Sequence, residues 1–133
     1  MAHSEADILE QHGIQPSAQR VAVARYVLRT ADHPSADEVW RRVRADFPQI
    51  SRATVYNSLK LFVEEGLLRQ FSMAEGHSVY DPNVADHHHL IDEETGEIHD
   101  VPWESVRIER VPKVKGYDVR EYQVIMRGVK RRR

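Results

Sequence analysis

An α+β fold is predicted, with helices in the first half of the chain and short strands in the second. Three observations carry that expectation. Four segments before Gly66 each follow a serine cap and repeat their apolar residues at helical spacing. After Gly66 the period shortens to that of strands. From Asp81 to Asp100 the composition turns acidic and histidine-rich, with seven Asp and Glu, four of the eight histidines and no Lys or Arg.

The chain has 133 residues, 41% hydrophobic and 30% charged, which suits one domain or two small ones with a modest core. No apolar run approaches the roughly 20 residues of a membrane helix, so no membrane partner is expected. The opening, Met1 to Asp7, is polar and acidic rather than leader-like, and a cytoplasmic location is expected. There is no cysteine, which excludes disulfides, thiol switches and thiolate zinc sites. Any metal would be held by imidazole, carboxylate or carbonyl groups, a set suited to iron, manganese and zinc. The net charge of −2 hides an asymmetry, because residues 16–71 carry nine Lys and Arg against six Asp and Glu. A basic front half and an acidic back half divide phosphate binding from metal binding. The run Lys130 to Arg133 reads as a solvated tail, with added phosphate attraction as the competing reading.

Helix starts are well marked. Ser4 with Asp7, and Ser35 with Glu38, fit the pattern in which a hydroxyl and an acid satisfy the free amides of a first turn. Ser17 after Pro16 and Ser51 before Arg52 supply two more caps. Stops fall at Gly13, at Asp32-His33-Pro34, at Pro48 and at Gly66. Helices are therefore expected near 5–12, 18–30, 36–46 and 52–65. Val21, Ala24, Val27 and Leu28, then Val39, Trp40, Val43 and Phe47, then Val55, Leu59, Phe62 and Val63 are expected in the core. Residues 67–72 and 78–80 read as two strands joined by a turn over Met73, Ala74, Glu75, Gly76 and His77, with Gly76 at positive φ.

Helices followed by a β-hairpin is the order of a winged helix-turn-helix, whose last helix before the wing enters the DNA major groove. With Val55, Leu59 and Phe62 inward, the outward set is Arg52, Ala53, Tyr56, Asn57 and Lys60. Tyr56 and Asn57 suit base edges, and Arg52 and Lys60 suit phosphates. An ordinary solvated helix face is the competing reading.

If residues 87–91 form a strand, His87 and His89 share one face and His88 takes the other. Two imidazoles with carboxylates at both ends of the segment point to a metal site. A catalytic version would be the two-histidine, one-carboxylate face of a non-haem iron oxygenase, built from His87, His89 and Asp100. That enzyme needs an enclosing β-barrel, and too few strands remain after four helices.

Three segments, in order, carry a resemblance. His-Pro-Ser-Ala-Asp-Glu-Val-Trp (33–40), Ser-Arg-Ala-Thr-Val-Tyr-Asn-Ser-Leu (51–59) and Asp-His-His-His-Leu-Ile (86–91) resemble the ferric uptake regulator (Fur) family over residues 5 to 128. The resemblance implies a homodimeric, metal-dependent transcriptional regulator, usually a repressor, of iron homeostasis or the peroxide response, and not an enzyme. It implies double-stranded DNA with an A/T-rich inverted repeat as partner, Tyr56 as principal base contact and Arg20 as a DNA-backbone contact. Gln15 stands where many relatives carry a basic residue that reaches the minor groove, which puts part of the A·T preference in question.

The resemblance also places His33, Asp81, His87, His89 and Asp100 around one regulatory metal. Three imidazoles and two carboxylates suit Fe(II) or Mn(II) and tolerate Zn(II). Because His33 precedes the third helix and the other ligands follow the wing, metal would close two domains into a DNA-binding geometry. Aspartate at 100 is common in the peroxide-sensing, PerR-like branch and allowed in the haem- and iron-responsive, Irr-like branch. In the first, peroxide would oxidise His33 or His87; in the second, haem would be a further cofactor. Asp86 reads as a support for a histidine or as an exposed acid, and His88 and His99 fall outside the set. The family's structural zinc site of paired Cys-X-X-Cys motifs is missing, with Asp92 and Thr95 where the first pair would fall, so no structural zinc is expected. A further metal site of some relatives is also absent. Arg107 and Tyr122 occupy its positions, and Glu104 is the nearest acid, so one metal per subunit is expected.

Val101 to Val106 is expected to hold a short helix or turn, and Tyr117 to Gly128 a long strand. With strands at 87–91 and 97–101 this makes a three-stranded unit of about fifty residues, too small to be stable alone. Dimerisation is the natural remedy. The whole therefore reads as an N-terminal winged helix-turn-helix (1–80), a hinge (81–86) and a small α/β dimerisation domain (87–133). A winged-helix DNA-binding regulator whose histidines bind no metal is the alternative.

Overall fold

Each helix of the first half starts where a serine hydroxyl meets a free amide. Ser4, Ser17, Ser35 and Ser51 accept from the backbone N–H of Asp7, Arg20, Glu38 and Thr54, opening α1 (Glu5–Gln11), α2 (Ala18–Val27), α3 (Ala36–Asp46) and α4 (Arg52–Glu64). The computed structural model describes residues 4–73 and 76–132 and divides into two compact units, Met1–Val84 and Ala85–Arg133. Residues 1–3, the wing-turn residues Ala74 and Glu75, and the terminal Arg133 lie outside the described set.

The first unit is a winged helix. Leu9, Val23, Val27, Val39, Val43, Val55, Leu59 and Phe62 interdigitate as its core, closed by Leu68 and Tyr80 of the wing. Val21, Leu28, Trp40, Phe47 and Val63, expected in the core, pack against it and stay partly exposed. α2 ends at Val27 rather than near residue 30. The Arg29 amide has tightened onto the Tyr26 carbonyl, and the Thr30 hydroxyl takes the Asp32 amide, so the last turn is not α-helical. α4 closes with a glycine motif. Gly66, at φ 81°, lets its own amide reach the Val63 carbonyl and the Leu67 amide reach that of Phe62. The chain thereby turns into the wing, β1 (Arg69–Ser72) paired antiparallel with β2 (Ser78–Asp81), with Phe71 opposite Val79. Asp81, expected as the first hinge residue, is the last residue of β2, opposite Arg69.

The second unit is a three-stranded sheet in the order β4 (Ile98–Pro102), β3 (His87–Asp92), β5 (Ile125–Gly128). β3 and β4 are antiparallel and β3 and β5 parallel. Trp103–Ser105 forms a 3-10 turn after β4. The long strand expected over 117–128 is corrected: only Ile125–Gly128 is strand. The parallel register sets Ile125 opposite His89, so residues before 123 would lie opposite positions preceding the first residue of β3. They have strand-forming side chains but no ladder to join.

Asp92 shapes the β3–β4 turn. Its carboxylate accepts from the amides of Glu94 and Thr95, and its carbonyl accepts from Gly96. The Glu94 amide above all, opposed by desolvation and aided by Thr95, holds the carboxyl below its usual 3.8. A depressed folded pKa means stability that is present above about 3.8 and is lost as pH falls through the folded value. Asp92→Ala is therefore expected to melt at a lower temperature than wild type at about pH 7, and to lose less than wild type on going to about pH 3. Circular-dichroism melts at the two pH values check both statements. No helix among the described residues is long and apolar enough to cross a membrane.

Candidate metal centre and DNA-reading helix

In the first unit the loop before α3 is bent to serve a buried pair. His33 has φ 52°, a left-handed conformation that costs a non-glycine residue of order 1–3 kcal/mol unless its surroundings impose it. What imposes it is the wing: the Pro34 carbonyl accepts the Tyr80 amide at 2.9 Å, pinning the loop to β2. His33 Nε2 then lies 3.0 Å from Asp81 Oδ2, both side chains about 95% buried. The other Asp81 oxygen accepts the Asn83 amide at 2.9 Å, which fixes the carboxylate before the chain leaves the wing.

In the second unit, strand alternation sends His87 and His89 to one face, their rings 4.7 Å apart and inclined by 65°. Antiparallel pairing sets Asp100 of β4 directly opposite His89. His87 Nδ1 lies 2.7 Å from the Ala85 carbonyl oxygen, and His89 Nδ1 lies 3.0 Å from Gln123 Oε1. Carbonyl oxygens only accept, so both Nδ1 atoms carry a proton, and each ring in its neutral form keeps a lone pair on Nε2. Those Nε2 atoms stand 3.3 and 3.8 Å from one oxygen, Asp100 Oδ1. Two lone pairs directed at a carboxylate repel unless a proton or a metal cation lies among them. The donor set therefore fits a divalent metal on its own chemistry.

His88, on the opposite face, is taken up by structure. It accepts the Val124 amide on Nδ1 at 3.0 Å and stacks on Trp103 at 4.7 Å, with Trp103 against Tyr122 at 4.9 Å. His99 is exposed beside Glu97, and Asp86 is exposed ahead of β3. Sequence reasoning missed Gln123 and Trp103, because nothing local marks a glutamine as the partner of a histidine 34 positions away. Gln123→Leu, which removes the acceptor and keeps the bulk, is expected to weaken Mn(II) binding about 10- to 100-fold, whereas Gln123→Glu stays near wild type. Competition against a metallochromic chelator measures both.

On α4, Val55, Ser58, Leu59 and Phe62 are buried, while Arg52, Ala53, Tyr56, Asn57 and Lys60 are exposed on the opposite side. Buried Ser58 is the one inward position that hydrophobic spacing missed. Arg20, half-buried in α2, donates from Nη1 to the Gln15 carbonyl at 2.9 Å, which holds the guanidinium beside the loop that precedes its helix.

Comparison with known proteins points to one family. The sequence profile described as "Ferric uptake regulator family" matches residues 11–127. The peroxide-responsive repressor PerR of Staphylococcus aureus (strain Mu50) is 35% identical over 123 residues, covering 91% of this chain and 83% of that protein. A solved zinc-bound manganese uptake regulator superposes with a TM-score of 0.71 at 26% identity, over 96% of this chain and 99% of the other. PerR from Streptococcus pyogenes, solved for its peroxide sensing and gene regulation, gives a TM-score of 0.55 at 27% identity over 97% and 92%. With most of its length matched by the family profile and a relative 35% identical across nearly the whole chain, this protein belongs to the ferric uptake regulator family.

Proposed function

We propose that this chain is a homodimeric, metal-dependent transcriptional repressor of iron homeostasis or the peroxide response, acting in the cytoplasm rather than as an enzyme. The observation that carries the reading is the convergence of His87 and His89 Nε2 on Asp100, with both Nδ1 protons already committed to carbonyl oxygens. His33 and Asp81 supply a second buried imidazole–carboxylate pair, and each of the five offers a nitrogen or oxygen suited to a divalent cation. Bound together, the two groups would tie the DNA-reading unit to the sheet unit. Fe(II) or Mn(II) matches three imidazoles and two carboxylates, and Zn(II) is a tolerated substitute. Such a metal supplies the positive charge that the two carboxylates and three lone pairs require.

On this reading the metal-free protein samples several arrangements of its two reading heads, and metal selects one. A two-fold dimer matches an inverted repeat, A/T-rich by family likeness, with half-sites at fixed spacing. Tyr56 and Asn57 would meet base edges, Ala53 a thymine methyl, and Arg52, Lys60 and Arg20 the phosphates. Three strands among the described residues of the second unit do not enclose an oxygenase site, and the family's regulators leave no place for that rival.

A mobility-shift assay with manganese and with chelator tests the reading. A retarded band that chelator abolishes is expected. Binding indifferent to chelator would leave a winged-helix regulator without metal dependence. The 35% identical peroxide-responsive relative favours the PerR-like version over the Irr-like one. Peroxide added to iron-loaded protein is then expected to leave an added oxygen atom on His33 or His87, read by mass spectrometry. Unmodified histidines would point to iron or haem status as the signal.

A further inference from the structure

We infer that Asp37 is a selectivity residue of the DNA-reading surface, an acid that holds Arg52 and Tyr56 in the free protein and penalises DNA that offers them no better partner. The inference rests on the reading of α4 as the recognition helix. Asp37 sits in the first turn of α3, where negative charge suits the helix dipole. From there it reaches across to α4. Its Oδ1 accepts from the Tyr56 hydroxyl at 3.4 Å and lies 3.9 Å from Arg52 Nε, while Oδ2 lies 3.7 Å from Arg41 Nη2. All of these contacts are long, and the Asp37, Arg41 and Arg52 side chains are each more than a third exposed. Such contacts exchange readily with solvent or with a competing ligand.

Arg52 has a second restraint. Its guanidinium carbon lies 4.4 Å from the Trp40 ring centroid, and that of Arg44 lies 4.3 Å from the same ring. Trp40 is itself held, donating from Nε1 to the Ile50 carbonyl at 3.1 Å. The indole keeps the two cations in place, and the Asp37 carboxylate competes with phosphate for one of them. Every duplex must therefore take Arg52 and Tyr56 away from Asp37, and must then lie close to the carboxylate left behind. A duplex that satisfies Tyr56 through a base edge gains a specific contact in exchange. An arbitrary duplex offers phosphate attraction alone and meets the fixed negative charge uncompensated.

The test compares wild type, Asp37→Asn and Asp37→Glu, all manganese-loaded, over a range of salt concentrations. One probe is a duplex enriched from a random library by the wild-type protein; the other is an unselected duplex of the same length. Asp37→Asn keeps the shape and an acceptor oxygen for Tyr56 but removes the charge. It is expected to bind unselected DNA about 3- to 10-fold tighter and the enriched duplex by a smaller factor, so that the ratio between them falls. The slope of log affinity against log salt on unselected DNA should steepen by about 0.9, one phosphate's worth. Asp37→Glu should stay within about twofold of wild type with an unchanged slope. An Asp37→Asn protein with wild-type slope and ratio, or one weakened equally on both duplexes, would overturn the proposal in favour of a merely structural acid. A wild-type protein that enriches no duplex would overturn the reading of α4, and the role of Asp37 with it.

Discussion

Asp100→Asn is expected to weaken Mn(II) binding about 10- to 100-fold and to remove metal-dependent DNA binding, while leaving the metal-free fold within about 0.5 kcal/mol of wild type. The two halves of that expectation have separate causes. Asparagine preserves the shape of the side chain but not the charge that balances a dication between His87 and His89. The fold is indifferent because the Asp100 side chain is 37% exposed and lies at the sheet surface. In the metal-free variant the new amide N–H can donate to an Nε2 lone pair, so the variant side chain keeps a partner. Metal affinity by competition, and melting in chelator, separate the two effects. Unchanged affinity would mean that the imidazole pair on β3 is not a metal site.

Phe62→Ala is expected to cost the first unit about 3–5 kcal/mol, the range for removing a buried aromatic ring. Native domains are stable by only about 5–15 kcal/mol, so the variant is expected to be near the edge of folding. Phe62 is fully buried in α4, among the core residues that join the helices to Leu68 and Tyr80. Its carbonyl also accepts the amides of Leu67 and Leu68, the bonds that turn the helix into the wing. Loosening this residue therefore detaches α4 from its support without touching any candidate DNA or metal ligand. A urea midpoint far below wild type, with DNA binding lost even under saturating metal, is the expected result. A loss below about 1 kcal/mol would show that α4 is held mainly by other contacts.

The parts of this fold that were legible in the sequence are those fixed over a few residues. Four serine caps were readable because the hydroxyl bonds an amide three positions on, and the separation of His87 and His89 from His88 because strand alternation is local. Partial burial of Trp40 and Phe47 was not readable, since it depends on which face neighbouring helices cover. The length of β5 was misjudged for a similar reason: Tyr, Val and Ile confer strand propensity, but the start of β3 decides how far pairing can run. Of the candidate site, the residues alone offered His87 and His89 with carboxylates at both ends of their segment, while His33 entered through family resemblance, which also gave Asp81 and Asp100 their roles. The supports of the site stayed hidden because each reaches its partner across the tertiary structure. Gln123 meets the His89 ring from 34 positions away in the chain, and Asp37 reaches α4 from α3. In that turn the local signal is Glu38, through its capping bonds with Ser35, and it gives no hint of Asp37.

If metal and DNA select the same arrangement of the chain, as proposed, linkage makes the effect of each on the other equal. Mn(II) affinity is measured for the protein alone and for the protein saturated with its enriched duplex. Tighter metal binding is expected in the presence of DNA, by the same factor by which manganese tightens DNA binding. Equal manganese affinity with and without the duplex would contradict it.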